Sequence, residues 1–135
     1  MKTVFDDRIE WRNQYRNLHR LDGPAIEWNN GAKEWLQNGI RHRLDGPAIE
    51  YGVKNNRWYQ NGVLHRLDGP AIEFGNGNKR WYQNDCLHRL DGPAIEFSNG
   101  TKEWYINGDR YSEQAWFEML SEDKKIAYLF KLGEK

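Results

Sequence analysis

The chain is expected to fold as an all-β protein. It reads as a β-hairpin repeat array, a single elongated twisted antiparallel sheet or solenoid, with two short C-terminal capping helices. Three observations predict this. The nonapeptide HRLDGPAIE occurs four times without substitution, at His19–Glu27, His42–Glu50, His65–Glu73 and His88–Glu96, each copy 23 residues after the last. Between copies, apolar and polar residues alternate with the period of a strand rather than of a helix. After Gly108 the repeat stops, and two serine-capped apolar stretches follow.

A fixed period of this length is the signature of stacked supersecondary units. The tryptophans Trp35, Trp58, Trp81 and Trp104 keep the same spacing, as do Trp28, Tyr51, Phe74 and Phe97. Asn-Gly recurs at Asn38-Gly39, Asn61-Gly62 and Asn107-Gly108, and becomes Asn84-Asp85 in the third copy. The segment Ile9–Asn17 resembles the tail of an earlier unit. The chain therefore divides into an N-terminal half-repeat (1–18), four 23-residue hairpin repeats (19–110) and a C-terminal helical cap (111–135).

Each unit reads as two short strands. Pro24 can start a strand, because a residue without an N–H is tolerated there, and Ala25-Ile26-Glu27-Trp28 continues it. Asn29–Ala32 forms the turn, with Gly31 suited to positive φ, and Lys33–Gln37 returns. With Trp28 opposite Lys33, one face carries Ile26, Trp28 and Trp35, and the other carries Ala25, Glu27, Glu34 and Leu36. That register sets Glu27 unfavourably opposite Glu34 and sets Glu50 and Glu73 favourably opposite Arg57 and Arg80. Asp-Gly gives the intervening loop its turn chemistry, with the Asp carboxylate accepting from backbone amides. Arg20 and Asp22 can pair across the turn, and Leu21, Leu44, Leu67 and Leu90 are expected to tuck beneath it. Trp58 and Trp81 should be more buried than Trp11 near the N-terminal edge.

The pattern N-G-x-x-H-R-x-D-G-P-A-x-E-x-x-x-G-x-K-x-W resembles a variant of the MORN repeat over residues 9–110. Asn38-Gly39, His42 and Gly46-Pro47, and Gly31 with its later equivalents, carry the resemblance. It departs by placing Arg-Leu-Asp between the His and the Gly. In that it is more similar to HRxDGPA-type repeat proteins of bacteriophages and large viruses. The resemblance implies a hairpin array with a binding or scaffold role and names no ligand.

In the final segment Ser112 and Ser121 can cap helices. Trp116, Phe117, Met119 and Leu120 give the first an apolar side, Ile126, Leu129 and Phe130 give one to the second, and Gly133 can end it. These helices are expected to cover the last hairpin, the alternative being that they make a dimer. The chain is thus read as a monomer or homodimer.

Composition narrows the function. Among 135 residues, 20 basic and 20 acidic side chains cancel, so no general nucleic-acid or membrane attraction is expected. Seven Trp residues sit in a chain of mean hydropathy −1.02, which points to a thin structure with much two-sided surface. The N-terminus has no signal-peptide run, no stretch suits a membrane span, and the single Cys86 fits a reducing compartment. A cytoplasmic location is expected, the host's cytoplasm if the protein is viral.

No enzyme is expected, because every acid, base and His of the repeats recurs in near-equal copies, whereas active sites are single and asymmetric. Cys86 stands where Ile40 and Val63 stand in other copies, so a thiol is not part of the pattern. Metal is not expected either: histidines two strands apart lie roughly 10 Å apart, too far to share one ion. No cofactor is expected.

Binding remains. Rows of Trp, Tyr and Arg are the side chains enriched in interface hot spots. The candidates are Trp35, Trp58, Trp81, Trp104, Tyr59, Tyr82, Tyr105, Arg43, Arg66, Arg57 and Arg80, and the expected partner is a host or other cellular protein. The resemblance to phage repeats implies an accessory protein that blocks a host defence component. The alternative is a multivalent sponge that binds a small nucleotide or other anionic ligand at the repeated His-Arg loops.

Overall fold

The computed structural model describes residues 1–133. They form an antiparallel sheet of eleven strands whose spatial order follows the chain. Its strands are Lys2–Val4, Arg8–Trp11, Ile26–Trp28, Lys33–Glu34, Ile49–Tyr51, Asn55–Arg57, Ile72–Glu73, Lys79–Arg80, Ile95–Glu96, Lys102–Ile106 and Asp109–Tyr111. Three two-stranded hairpins branch from it, Leu36–Gln37 with Ile40–Arg41, Tyr59–Gln60 with Val63–Leu64, and Tyr82–Gln83 with Cys86–Leu87. Helices α1 (Glu113–Met119) and α2 (Glu122–Gly133) follow. The last two residues of the expected cap lie outside the described residues.

The branching happens at a tryptophan. The Trp35 N–H still donates across the main sheet to the Ala48 carbonyl (2.7 Å), while the Trp35 carbonyl accepts from His42 N–H (3.1 Å) and so closes the small hairpin. Each small hairpin turns on two residues of positive φ, Asn38 (51°) and Gly39 (78°) in the first, the hairpin turn that Asn-Gly favours. The turn amides then reach the preceding unit: Gly39 N–H donates to Leu18 O and Gly62 N–H to Arg41 O, both at 2.8 Å. Neighbouring units are thereby hooked together.

The hairpin register differs from the expected one by one residue. Glu27 pairs with Lys33 and Ile26 with Glu34, because the turn has three residues, not four. Trp28 N–H donates to Ala32 O, Gly31 N–H returns to Trp28 O, and Gly31 sits at φ 92°. This is the three-residue loop that ends in a left-handed residue. A one-residue shift moves a whole strand's side chains to the other face. Arg57 and Arg80 accordingly lie opposite Ile49 and Ile72, not Glu50 and Glu73. Trp35 likewise lies on the face opposite Ile26 and Trp28.

One face thus carries the row Glu10, Ile26, Glu34, Ile49, Arg57, Ile72, Arg80, Ile95 and Glu103. On the other, Glu27, Lys33 and Glu50 follow one another, as do Glu73, Lys79, Glu96 and Lys102. Opposite charges there replace the Glu27–Glu34 clash of the expected register. Glu10 is buried on the Ile face between Arg8 (3.2 Å) and Arg12 (3.0 Å). Burial pushes its carboxyl up, but the two guanidinium groups outweigh that and hold it below its ordinary value.

The sheet is thin. Its enclosed positions are Ala25, Ala48, Ala71 and Ala94, each fully buried, with the Ile beside each. Trp11, Trp35, Trp58, Trp81 and Trp104 are all half-buried. Strand Lys2–Val4 pairs with Arg8–Trp11 and shields Trp11 from the edge.

The apolar interior of the cap is Trp116, Leu120 and Tyr128, packed with Leu90, Trp104, Ile106, Tyr111 and Phe117. Ser112 caps α1 through the Ala115 N–H, and the Ser121 hydroxyl accepts from Lys124 N–H at the start of α2. The expected apolar side of α2 is not packed: Ile126, Leu129 and Phe130 are exposed, as is Met119 on α1. Tyr128 is the inward residue instead. Its hydroxyl donates to Glu113 (3.2 Å) and its ring meets Trp116 edge-on.

Candidate functional site: a row of inter-repeat clefts

Eight of the nine residues in HRLDGPAIE have internal partners. The His Nδ1 accepts the backbone N–H of the following Asn-Gly or Asn-Asp turn, as His42 does from Asn61 (3.0 Å); His19, His65 and His88 repeat this with Asn38, Asn84 and Asn107. The Arg guanidinium stacks on the preceding unit's tryptophan, with Arg20, Arg43, Arg66 and Arg89 each 3.8 Å from the ring centroids of Trp11, Trp35, Trp58 and Trp81. Arg43 also donates to Asp45 (2.9 Å), the Pro47 carbonyl (3.0 Å) and Glu50 (3.1 Å).

The loop glycine is present for room, not for positive φ. A Cβ on Gly46 would stand 2.7 Å from the Arg43 Cζ, and the equivalent clash recurs at Gly23, Gly69 and Gly92. The guanidinium is thus held between a tryptophan ring and a bare glycine. The Asp staples that guanidinium; the bond to Arg43, and to a lesser extent one from its own backbone amide, holds the Asp45 carboxyl below its ordinary value. The Pro carbonyl accepts from the Arg, the Ala and Ile fill the sheet, and the Glu is the far acceptor in three copies. In the third copy Glu73 instead accepts from Asn56.

The leucine is left over. Because the Arg fills the space beneath the loop, Leu21, Leu44 and Leu67 project outward, 76, 75 and 75% exposed. This reverses the expectation that they tuck inward. Only Leu90, under the cap, is covered.

Successive loops bound three similar clefts, the third also lined by Lys124 of α2. The first lies between the loops of Arg20 and Arg43, the second between those of Arg43 and Arg66, and the third between those of Arg66 and Arg89. Their volumes are about 490, 520 and 530 Å³, within the range of small-ligand sites. Each has a tryptophan (Trp35, Trp58 or Trp81), a glutamine (Gln37, Gln60 or Gln83) and a histidine (His42, His65 or His88) in its wall, with leucines at the rim.

The candidate residues divide between the two faces. Trp35, Trp58 and Trp81, with Arg43 and Arg66, line the clefts; Trp104 lies beneath Trp116 at 6.4 Å between ring centroids. Arg57 and Arg80 lie on the Ile face. Tyr105 lies there too, its hydroxyl 3.2 Å from Glu103, and Tyr59 and Tyr82 follow Arg57 and Arg80 at the same two-residue spacing. The leucines of the rim and the His–turn bonds were not among the candidates. The signal for the leucines was their identity in four copies at a loop position with no turn chemistry.

His88 makes folding sensitive to acid. Burial pushes the His88 imidazole below its ordinary value, and a protonated Nδ1 cannot accept from Asn107. The unfolded chain therefore takes up a proton below about pH 6.5 that the folded chain resists. Stability is complete above that pH and falls as pH drops from it toward the folded value. Thermal melts between pH 8 and pH 5 should show a falling midpoint, with a shallower slope for His88→Gln; identical slopes would remove His88 as the source.

No family model, curated protein or solved structure matches the chain. Among the described residues no helix is long and apolar enough to cross a membrane.

Proposed function

We propose that this is a non-enzymatic binding protein whose row of clefts receives a partner protein. The exposed leucines carry the reading. Leu21, Leu44 and Leu67 are identical members of a block whose other residues are engaged internally, yet they stand in solvent at the rims of three similar clefts. Apolar side chains held in register on a rigid scaffold, beside Trp and Arg, are the ingredients of an interface core. The resemblance to repeats of phages and large viruses extends this to an accessory protein that occupies and blocks a host protein, a defence component, in the host cytoplasm.

Charge weighs against an anion sponge at the same loops. Arg20, Arg43 and Arg89 are each bonded to an Asp and a Glu, and each His lone pair at Nδ1 is already occupied. A phosphate would have to displace carboxylates to be bound.

The test compares faces. The immobilised chain would be exposed to host lysate, and bound proteins quantified for wild type, Leu44→Glu/Leu67→Glu and Arg57→Glu/Arg80→Glu, with circular dichroism as the control for folding. The leucine pair should lose its specific partner by about tenfold or more, and the arginine pair should keep it. The reverse pattern would move the interface to the Ile face. A stoichiometric nucleotide released on heating would overturn the protein reading.

A further inference from the structure

The array contains a fourth cleft position, and the chain fills it itself. Counting one repeat on from the third cleft, its wall would comprise Arg89, Leu90, Trp104, Ile106 (in the place of the glutamine) and Tyr111 (in the place of the histidine). These are the residues around Trp116. Its indole N–H donates to the Arg89 carbonyl (2.8 Å), and its cluster packs against Leu90, Trp104, Ile106 and Tyr111. Trp116 is wholly buried there, and Leu90 is the one loop leucine that is covered. Beside it the Lys131 ammonium reaches the Asp91 carbonyl (3.3 Å). Burial pushes the Asp91 carboxyl up, but Arg89 and this lysine outweigh it and hold it below its ordinary value.

The three open clefts offer the same backbone carbonyl unused. Among the described residues, the carbonyls of Arg20, Arg43 and Arg66 accept no hydrogen bond. Asp22, Asp45 and Asp68, each bonded to its Arg, stand exposed at the rims; at the fourth position Lys131 lies beside Asp91, and Lys124 of α2 lines the third cleft. Gln and His replace Ile106 and Tyr111, so an occupant with a polar edge, such as indole or phenol, suits these clefts better than a purely apolar ring.

Resting on the protein-binding reading above, we propose that the clefts are sockets for aromatic side chains, tryptophan foremost, presented by a partner's helix with basic residues beside them. Equivalent points in adjacent units are two strands apart, roughly 10 Å, which a helix covers in about seven residues. One helix laid across the loops with aromatic residues at heptad spacing would enter successive sockets. Trp116 is then the bound state of the interaction, displayed within the chain.

The probe is a synthetic helical peptide with three heptad-spaced tryptophans and neighbouring lysines in a Glu/Lys-paired background. Controls carry a single tryptophan, or the same three at non-heptad spacing. Titrated into the full chain, the heptad peptide should bind about tenfold or more tighter than either control, because linked sockets act multivalently. In nitrogen-15 spectra the indole signals of Trp35, Trp58 and Trp81 should move, and those of Trp104 and Trp116 should stay. Equal affinity for all three peptides, or shifts confined to Trp28 on the other face, would overturn the proposal. If the peptides fail while the leucine pair still abolishes partner capture, the helix socket is wrong and the protein-binding reading stands. If leucine substitution spares the partner, that reading falls independently.

Discussion

Trp116→Ala should lower the unfolding free energy by about 3–5 kcal/mol, the range for emptying a buried aromatic site, the largest loss expected of any single truncation in this chain. Trp116 is the largest wholly buried side chain among the described residues, and three things depend on it. It covers Trp104, meets Tyr128 edge-on at 5.0 Å and donates to the Arg89 carbonyl. Without it α1 and α2 have little to hold them, because Met119, Ile126, Leu129 and Phe130 already face solvent. Urea unfolding followed by circular dichroism would measure the loss. Trp116→Phe separates packing from hydrogen bonding: it keeps much of the ring contact and leaves the Arg89 carbonyl unpaired, so it should cost less than the alanine. An alanine variant as stable as wild type would mean that the cap does not contribute to the cooperative unit.

Ala71→Leu should cost about 1–3 kcal/mol by overpacking, even though it adds apolar surface. Ala71 is fully buried at the centre of the array, and its carbonyl accepts the Trp58 N–H at 2.8 Å. The ladder bond fixes the backbones at sheet spacing, so a larger side chain can be accommodated only by displacing the strand or its neighbours. Repeat arrays couple each unit chiefly to the next, so the damage should be felt locally first. Hydrogen exchange should show the amides of residues 55–83 losing protection before those of the half-repeat. Uniform loss along the chain would indicate one cooperative unit; an unchanged midpoint would mean that the alanine row is not close-packed.

The hairpin register was partly legible. A turn of three or four residues fits Asn-Asn-Gly-Ala equally well by residue preference, and the difference flips Lys33–Leu36 to the other face. Lys33, Lys79 and Lys102 were the available signal, since only the three-residue turn sets them opposite Glu27, Glu73 and Glu96. The cleft rim was less legible. Arg20 and Leu21 are neighbours in a loop, and local pattern does not say which of them fills the space beneath it. The arginine does, because a flat guanidinium fits between a tryptophan ring and a glycine while its N–H groups meet Asp22, Pro24 and Glu27. A leucine in that place would leave these acceptors without a partner.

By itself the sequence determined the repeat, the all-β hairpin array and the two helices with their serine caps, because periodicity, turn residues and caps act over a few neighbouring positions. Tertiary structure alone decided which face the tryptophans occupy, that the leucines stand outward, and that Trp116 closes the fourth cleft while three remain open. Those outcomes depend on a one-residue register and on contacts between residues 8 to 27 positions apart, from Arg43 on Trp35 to Trp116 with Arg89. Such contacts form only once neighbouring units have stacked and competed for the same space.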